Sequence, residues 1–205
     1  MKHISAFILM ACLAPTVFAE DITILVGHQF NPDFEIIAVN PADESEESFK
    51  DLELDNGSTI SLAWDFIFRD NPNERVGFYL SHQKTDFDSS SLLADTGIQV
   101  THVHFTGTSY YPNGSWEPFV SAGIGAGIYS PDDSDLSSET KFSAQVATGA
   151  NYKFTEGLLL RLDVRWVGTF FNGSGAIFCS GGCIIQAESD LYSQVQANIG
   201  LMFRY

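Results

Sequence analysis

The chain is poor in positive charge. Its 205 residues hold ten Lys and Arg against 26 Asp and Glu, a formal charge of −16. Nucleic-acid binding needs a basic footprint, so nucleic acid is excluded as a partner. Long apolar runs are missing as well. No stretch after the first twenty residues reaches the roughly 18 consecutive apolar residues of a membrane-spanning helix. Cysteine is scarce, with three residues and no Cys-x-x-Cys spacing, which leaves no thioredoxin-like redox centre. Charged residues make up 18% of the chain, below the roughly 25% of ordinary soluble domains. Aromatic residues and glycine are abundant instead: 17 Phe, 7 Tyr and 17 Gly. This balance points to one β domain that places much of its apolar surface somewhere other than a small core.

The first nineteen residues read as a secretory signal peptide. Met1-Lys2-His3 is a short basic start, Ile4 to Ala14 is apolar apart from Ser5, and Val17-Phe18-Ala19 forms a cleavage site. Residues 20–205 then form the mature domain, and Cys12 leaves with the signal.

Eight segments of the mature chain read as strands: 21–30, 58–68, 76–87, 98–111, 116–129, 141–154, 158–171 and 189–205. Soluble strands average about five or six residues, whereas a tilted strand needs about nine to eleven to cross a bilayer. Most of these segments have that length. Most also alternate with period two. Leu158, Leu160, Leu162, Val164 and Trp166 share one face of a strand whose other face carries Arg161, Asp163 and Arg165.

Alternation alone fits a soluble barrel with an apolar core or a membrane barrel with an apolar outside. The connections separate the two. They run long (31–57), short (69–75), long (88–97), short (112–115), long (130–140), short (155–157), long (172–188). An up-and-down barrel would collect the short turns at one rim and the long loops at the other. That is the outer-membrane arrangement of short periplasmic turns and long external loops. The fold class expected is therefore all-β, an eight-stranded antiparallel up-and-down transmembrane barrel.

The C-terminus adds a specific likeness. Asn198-Ile199-Gly200-Leu201-Met202-Phe203-Arg204-Tyr205 alternates to the last residue and ends on an aromatic, which resembles the terminal strand of bacterial outer-membrane barrels. The blocks Trp116-Glu117-Pro118-Phe119-Val120-Ser121-Ala122-Gly123-Ile124-Gly125-Ala126-Gly127 and Gly149-Ala150-Asn151-Tyr152-Lys153-Phe154 resemble the small eight-stranded OmpW/OmpX/OmpA-like superfamily. The resemblance implies localisation in the outer membrane, contact with outer-membrane lipid and lipopolysaccharide, and delivery by the barrel assembly machinery. That machinery would read Ile199, Leu201, Phe203 and Tyr205. It also implies passive passage of small hydrophobic solutes through a narrow channel.

Several residues carry further expectations. Asp65, Glu117, Lys141, Lys153, Arg161, Asp163, Arg165 and Arg204 lie on inward faces. The interior of an eight-stranded barrel is just wide enough for side chains to fill, and buried charges must pair. They are expected to form an ion-pair network in the lumen, which favours the alternative of a plugged barrel acting through its acidic external loops. His102 and His104 share a face, although Val103 and Phe105 oppose them and Ile98 and Val100 accompany them, so a bulge is expected in this segment. No third ligand stands at a readable spacing, and neither histidine has an evident Ser nucleophile and acid at its level. No metal, cofactor or enzymatic activity is expected. Cys179 and Cys183 flank Ser-Gly-Gly in the last long loop and are expected to pair in an oxidising compartment. Trp116, Trp166, Tyr110, Tyr111 and Tyr152 are expected in an interfacial aromatic girdle.

The long connections are strongly acidic: Asp33, Glu35, Asp43, Glu44, Glu46, Glu47, Asp51, Glu53 and Asp55 accompany the single Lys50, and Asp132, Asp133, Asp135 and Glu139 follow later. Neither run has EF-hand spacing. They read as solvated, mutually repelling loops; the alternative is that divalent cations bridge these acids to lipopolysaccharide phosphates. Chelation is then expected to increase proteolysis within the loops of whole cells, and an unchanged cleavage pattern removes the cations from the account.

Overall fold

The computed structural model describes residues 21–31, 34–39, 47–52, 56–86, 97–132, 137–171, 184–187 and 191–205. The strands are β1 (Asp21–Phe30), β2 (Phe34–Val39), β3 (Glu47–Leu52), β4 (Gly57–Phe68), β5 (Asn71–Asp86), β6 (Gly97–Tyr110), β7 (Trp116–Pro131), β8 (Glu139–Thr155), β9 (Leu158–Phe170), β10 (Ile184–Ala187) and β11 (Leu191–Arg204). The eight long ones close into an antiparallel barrel in the order β1-β11-β9-β8-β7-β6-β5-β4. Closure falls on β1, which pairs with β11 from Asp21↔Arg204 onward and with β4 from Asp21↔Asp65 onward. Each long strand thus has two neighbours and the barrel has no open edge, as a sheet in hydrocarbon requires.

The short connections gather at one end. Arg69 and Asp70 have φ of 54° and 57°, the left-handed geometry of a two-residue primed hairpin turn. That turn lets β5 begin at Asn71, so the connection expected over 69–75 shrinks to two residues. At the opposite end the structure departs from the sequence expectation. Segments of the first and last long connections are not plain loop but form a three-stranded sheet, β10-β2-β3. The sequences Phe-Glu-Ile-Ile-Ala-Val and Ile-Ile-Gln-Ala carry the β-branched residues that favour strands. The surrounding acidic run masks them by composition.

The bulge expected in β6 is absent. Pairing with β5 is continuous from Glu74↔Ser109 to Asp86↔Gly97, and pairing with β7 is equally regular. Ile98, Val100, His102 and His104 therefore all point inward and are at most 1% exposed.

The two faces of the wall differ in chemistry. Ile24, Ile60, Phe78, Phe105, Ile124 and Val164 are among the many large apolar side chains left exposed on the outside. Arginine, aspartate, glutamine, serine and histidine fill the inside. A water-soluble protein does not expose so continuous an apolar surface, so the outside faces lipid and the strands cross the membrane. Rings cluster at the short-turn end, with Trp116 and Tyr152 5.0 Å apart and Tyr152 and Phe154 5.4 Å apart. Phe142 and Phe170 meet at 5.6 Å toward the other end. Tyr110 is not in this girdle: it points into the lumen and is 4% exposed.

Glycine on an inward face makes room for a neighbour. A Cβ on Gly125 would collide with the Val103 carbonyl oxygen and the His104 backbone. A Cβ on Gly27 would occupy the place of the Asn198 side chain. Gly125→Val is thus expected to abolish the compact, heat-modifiable form on unheated gel electrophoresis, while Ile124→Val, on the lipid side, retains it. Wild-type migration of unheated Gly125→Val protein would show that this close approach is not required.

Candidate functional site

The lumen is built in layers, each assembled from strands distant in sequence. Nearest the short-turn end, Arg204 is the hub. Its Nε donates to Asp21 Oδ1 at 2.9 Å, and its Nη1 lies 3.0 Å from both oxygens of Glu117. Arg75 Nε reaches the other Asp21 oxygen at 3.4 Å and its Nη1 donates to the Pro72 carbonyl at 2.6 Å. Lys153 lies 3.8 Å from Glu117 and 4.0 Å from Glu156.

The central layer turns on Asp163. One of its oxygens lies 3.5 Å from Arg161 Nε and 3.2 Å from Arg165 Nη2. The other accepts from Asn198 Nδ2 at 2.7 Å. Arg165 also donates to Gln145 Oε1 at 2.7 Å, and its guanidinium carbon sits 3.6 Å above the centre of the Tyr79 ring. Arg161 donates to the Tyr110 hydroxyl at 3.2 Å and stacks 4.0 Å over Phe119. Each buried guanidinium thus has a carboxylate and an aromatic face, since leaving it unpaired costs several kcal/mol, but the Nε of each makes no hydrogen bond among the described residues. The space left among Asp65, Tyr79, Thr106, Arg161 and Arg165 is about 10 Å³, the lower limit for one water molecule.

Toward the long-loop end, the His102 and His104 rings stack with centroids 5.7 Å apart. His104 Nε2 lies 2.8 Å from Ser143 Oγ. His104 pairs in register with Gly125, and Gly125 with Ser143. Lacking a side chain, Gly125 lets the imidazole reach across β7. A serine at the histidine's level therefore exists, contrary to the sequence expectation; the signal is two register steps long and invisible along one strand. The pair is enclosed: both residues are 0% exposed. Among the described residues no carboxylate bonds either histidine. The neighbouring backbone amides belong to the sheet ladder; Gln145 Nε2, two residues along the same face of β8, is a buried donor with no hydrogen-bond partner among the described residues.

Of the charges expected in the lumen, Glu117, Lys153, Arg161, Asp163, Arg165 and Arg204 make the ion pairs given above. Asp65 is 2% exposed and has no direct ion pair among the described residues; it sits in the field of Arg161, Arg165 and Arg75. Lys141 stands apart. It pairs with Glu139 at 3.0 Å on its own strand and lies over the Phe171 ring, toward the long-loop rim. Asp21 and Arg75 are the members that sequence reasoning missed. Each continues the inward parity of its strand, Asp21 with Thr23 at the start of β1 and Arg75 with Gly77 and Tyr79 in the part of β5 that was expected to be a connection. Ile199, Leu201, Phe203 and Tyr205 all lie on the outer face. Residues 1–19 with the expected cleavage site, and Cys179 and Cys183, fall outside the described residues.

The outer face carries polar groups near the long-loop rim. His82 Nδ1 lies 2.9 Å from Thr101 Oγ1. Above it, Asp132 accepts from Lys84 Nζ at 2.8 Å and from Gln99 Nε2 at 2.8 Å. Those two donors, Lys84 foremost, hold the Asp132 carboxyl below the usual carboxylate range.

A closed antiparallel barrel of eight membrane-length strands, apolar outside and ion-paired inside, defines a small bacterial outer-membrane protein. Solved structures agree on the fold. OprG, an outer-membrane protein of Pseudomonas aeruginosa, is 14% identical, with 91% of this chain and 96% of that one covered at a TM-score of 0.59. Neisserial surface protein A is 11% identical, with 90% and 97% covered at 0.52. The outer-membrane protein AlkL is 14% identical, with 94% of each chain covered at 0.50. No curated protein matches the chain. The model of the lipid A 3-O-deacylase (PagL) family matches residues 56–165, more than half of the sequence, and the chain belongs to that family.

Asp163→Ala would leave Arg161 and Arg165 buried without their carboxylate, at a cost of about 3–5 kcal/mol. The urea midpoint of protein folded in lipid vesicles, followed by Trp fluorescence, is expected to fall accordingly. Val164→Ala, one residue along on the lipid side, should cost far less, and equal midpoints for the two variants would contradict the central role of Asp163.

Proposed function

We propose that this protein is a closed barrel that works at its lipid-facing wall, with lipid A as its ligand class, and that its lumen conducts nothing. The packing of the lumen carries this reading. The cavity enclosed by Asp65, Tyr79, Thr106, Arg161 and Arg165 in the central layer is about 10 Å³, too little for a solute larger than water. That packing weighs against axial passage of small hydrophobic solutes and favours the plugged alternative. Family membership supplies the ligand: the matching family model is described by removal of an acyl group from the 3-O position of lipid A. The acidic external connections support a surface in contact with lipopolysaccharide through divalent cations.

A second reading, hydrolysis of the lipid, is favoured by one observation. Of the two His–hydroxyl contacts among the described residues, His82–Thr101 is on the outer wall near the long-loop rim, where the polar part of an outer-leaflet lipid lies. His104–Ser143 is sealed inside.

Two measurements test the proposal. Refolded wild-type protein in a planar bilayer is expected to give no single-channel steps; reproducible steps altered by Arg161→Ala would overturn the closed lumen. Protein purified from a host with 3-O-acylated lipid A is expected to carry that lipid, seen by mass spectrometry. Its absence from folded protein overturns the ligand. Loss of the 3-O acyl chain in the wild type but not in His82→Ala would select the hydrolytic reading.

A further inference from the structure

Among the described residues, four carboxylates are buried in the lumen, and three of them sit in direct ion pairs: Asp21, Glu117 and Asp163. Asp65 has none. It stands opposite Asp21 in the β1–β4 register, but the nearby Arg75 and Arg204 reach Asp21 instead. Gly77 on β5 keeps a place for the Asp65 carboxylate, since a Cβ there would collide with its Oδ1. On β9, three places round the barrel from β4, Arg161 and Arg165 share the one carboxylate of Asp163. The Nε of each makes no hydrogen bond among the described residues. Arg161 Nη1 donates to Tyr110, and its Nη2 donates to no group among the described residues.

A cavity lies between these groups. It encloses about 10 Å³, and its wall includes Ala63, Asp65, Thr106, Ser121, Arg161 and Arg165. That volume is the least that holds one water molecule, and a buried water takes roughly two to four polar partners. Here a carboxylate, two guanidinium groups and two hydroxyls meet one space. Cavities that stay dry are apolar, and this one is lined by charges of both signs. A cation would stand beside two guanidinium groups, and a halide or an organic solute exceeds the volume. A buried carboxylate and a buried N–H both lose their hydration on folding, and one shared water returns a hydrogen bond to each.

We infer that this cavity is a binding site for a single water molecule, which donates to the Asp65 carboxylate and accepts from the Arg161 guanidinium. The hydroxyls of Thr106 and Ser121 stand in the same wall as acceptors for its second hydrogen, and Arg165 closes the remaining side. Asp65 thereby becomes the second counter-charge of the arginine pair, acting through the water and not by contact. The bridge joins β4 to β9, which share no ladder. The water is a fixed part of the central layer, and its site does not depend on which ligand the outer wall meets.

The test fills the cavity from its own wall. Ala63→Val adds bulk inside it, and Ala122→Val adds the same bulk on the lipid face of β7 as the control. Each refolded barrel is checked for the heat-modifiable form and then crystallised at a resolution that orders buried waters. One water peak within hydrogen-bond distance of an Asp65 oxygen and an Arg161 nitrogen is expected in the wild type and Ala122→Val, and none in Ala63→Val. In detergent solution, cross-relaxation between water and the Arg161 Nε–H proton, read by 15N-edited NMR, is expected in the wild type and lost in Ala63→Val. A dry cavity in the wild type, or a direct bond from Asp65 to either arginine, overturns the site. Undiminished cross-relaxation in folded Ala63→Val assigns the signal to neighbouring hydroxyl protons and also overturns it. Should Ala63→Val fail to fold, the wild-type density decides alone: the bridging peak supports the site and its absence overturns it.

Discussion

Asp163 is the interaction on which the interior depends. It stands between Arg161 and Arg165, and Asn198 bonds its remaining oxygen. Removing charges from water costs more than their attraction returns unless every lone pair and N–H is satisfied. Here the two guanidinium groups are also held by Tyr110, Gln145 and the faces of Phe119 and Tyr79, although the Nε of each has no hydrogen-bond partner among the described residues. Those partners come from β5, β6, β7, β8 and β11. The layer can therefore form only when the barrel is closed, and its formation in turn ties together walls that share no ladder. The layer below repeats the device with Arg204 between Asp21 and Glu117.

The distribution of charge follows from this. Five of the chain's ten basic residues, Arg75, Lys153, Arg161, Arg165 and Arg204, face four carboxylates inside the barrel, Asp21, Asp65, Glu117 and Asp163. The interior is close to neutral, so the acidic excess of the chain falls on its rims and connections. A barrel of this width can hold a pore or a packed polar core, not both. The same economy of space explains the glycines of β7: without a side chain at Gly125, His104 reaches Ser143 across the strand between them.

Much of this was legible in the sequence because a strand's side chains alternate strictly. Parity alone placed Glu117, Arg161, Asp163, Arg165 and Arg204 on inward faces, and loop lengths alone sorted the two ends. Partnership was not legible. Arg204 meets Glu117 and Asp21 across 87 and 183 residues, and those meetings depend on register around the whole circumference. Asp21 sits where β1 begins and alternation has little length to show itself, and Arg75 fell in the connection expected over 69–75, which the structure makes part of β5. Tyr110 was assigned to the girdle by residue type, although its parity with His102 and His104 puts it inside, where its hydroxyl meets Arg161. Lys141 has inward parity, but its long side chain turns back to Glu139. The strands β2, β3 and β10 lay hidden because they are only four to six residues long inside long connections: β2 has its β-branched run among acidic neighbours, and β3, Glu-Ser-Phe-Lys-Asp-Leu, has no β-branched residue at all.

The wall and the core are not independent. An outward depression lined by Ala150, Leu162, Val164, Ala197 and Ile199 has as its floor the backbone of Asp163 and Asn198, whose side chains on the other surface are the centre of the ion-paired layer. Gly27 completes the same stretch, kept bare by the Asn198 side chain. A strand is one residue thick, so the central ion-pair layer holds rigid the part of the wall where outward side chains are smallest. Those small side chains add nothing to the packing of the lumen, because they point away from it. Interior packing therefore gives no reason for Ala150, Ala197 and Thr148 to lie between Leu162, Val164 and Ile199. A wall set over a rigid floor keeps its shape in a fluid surround.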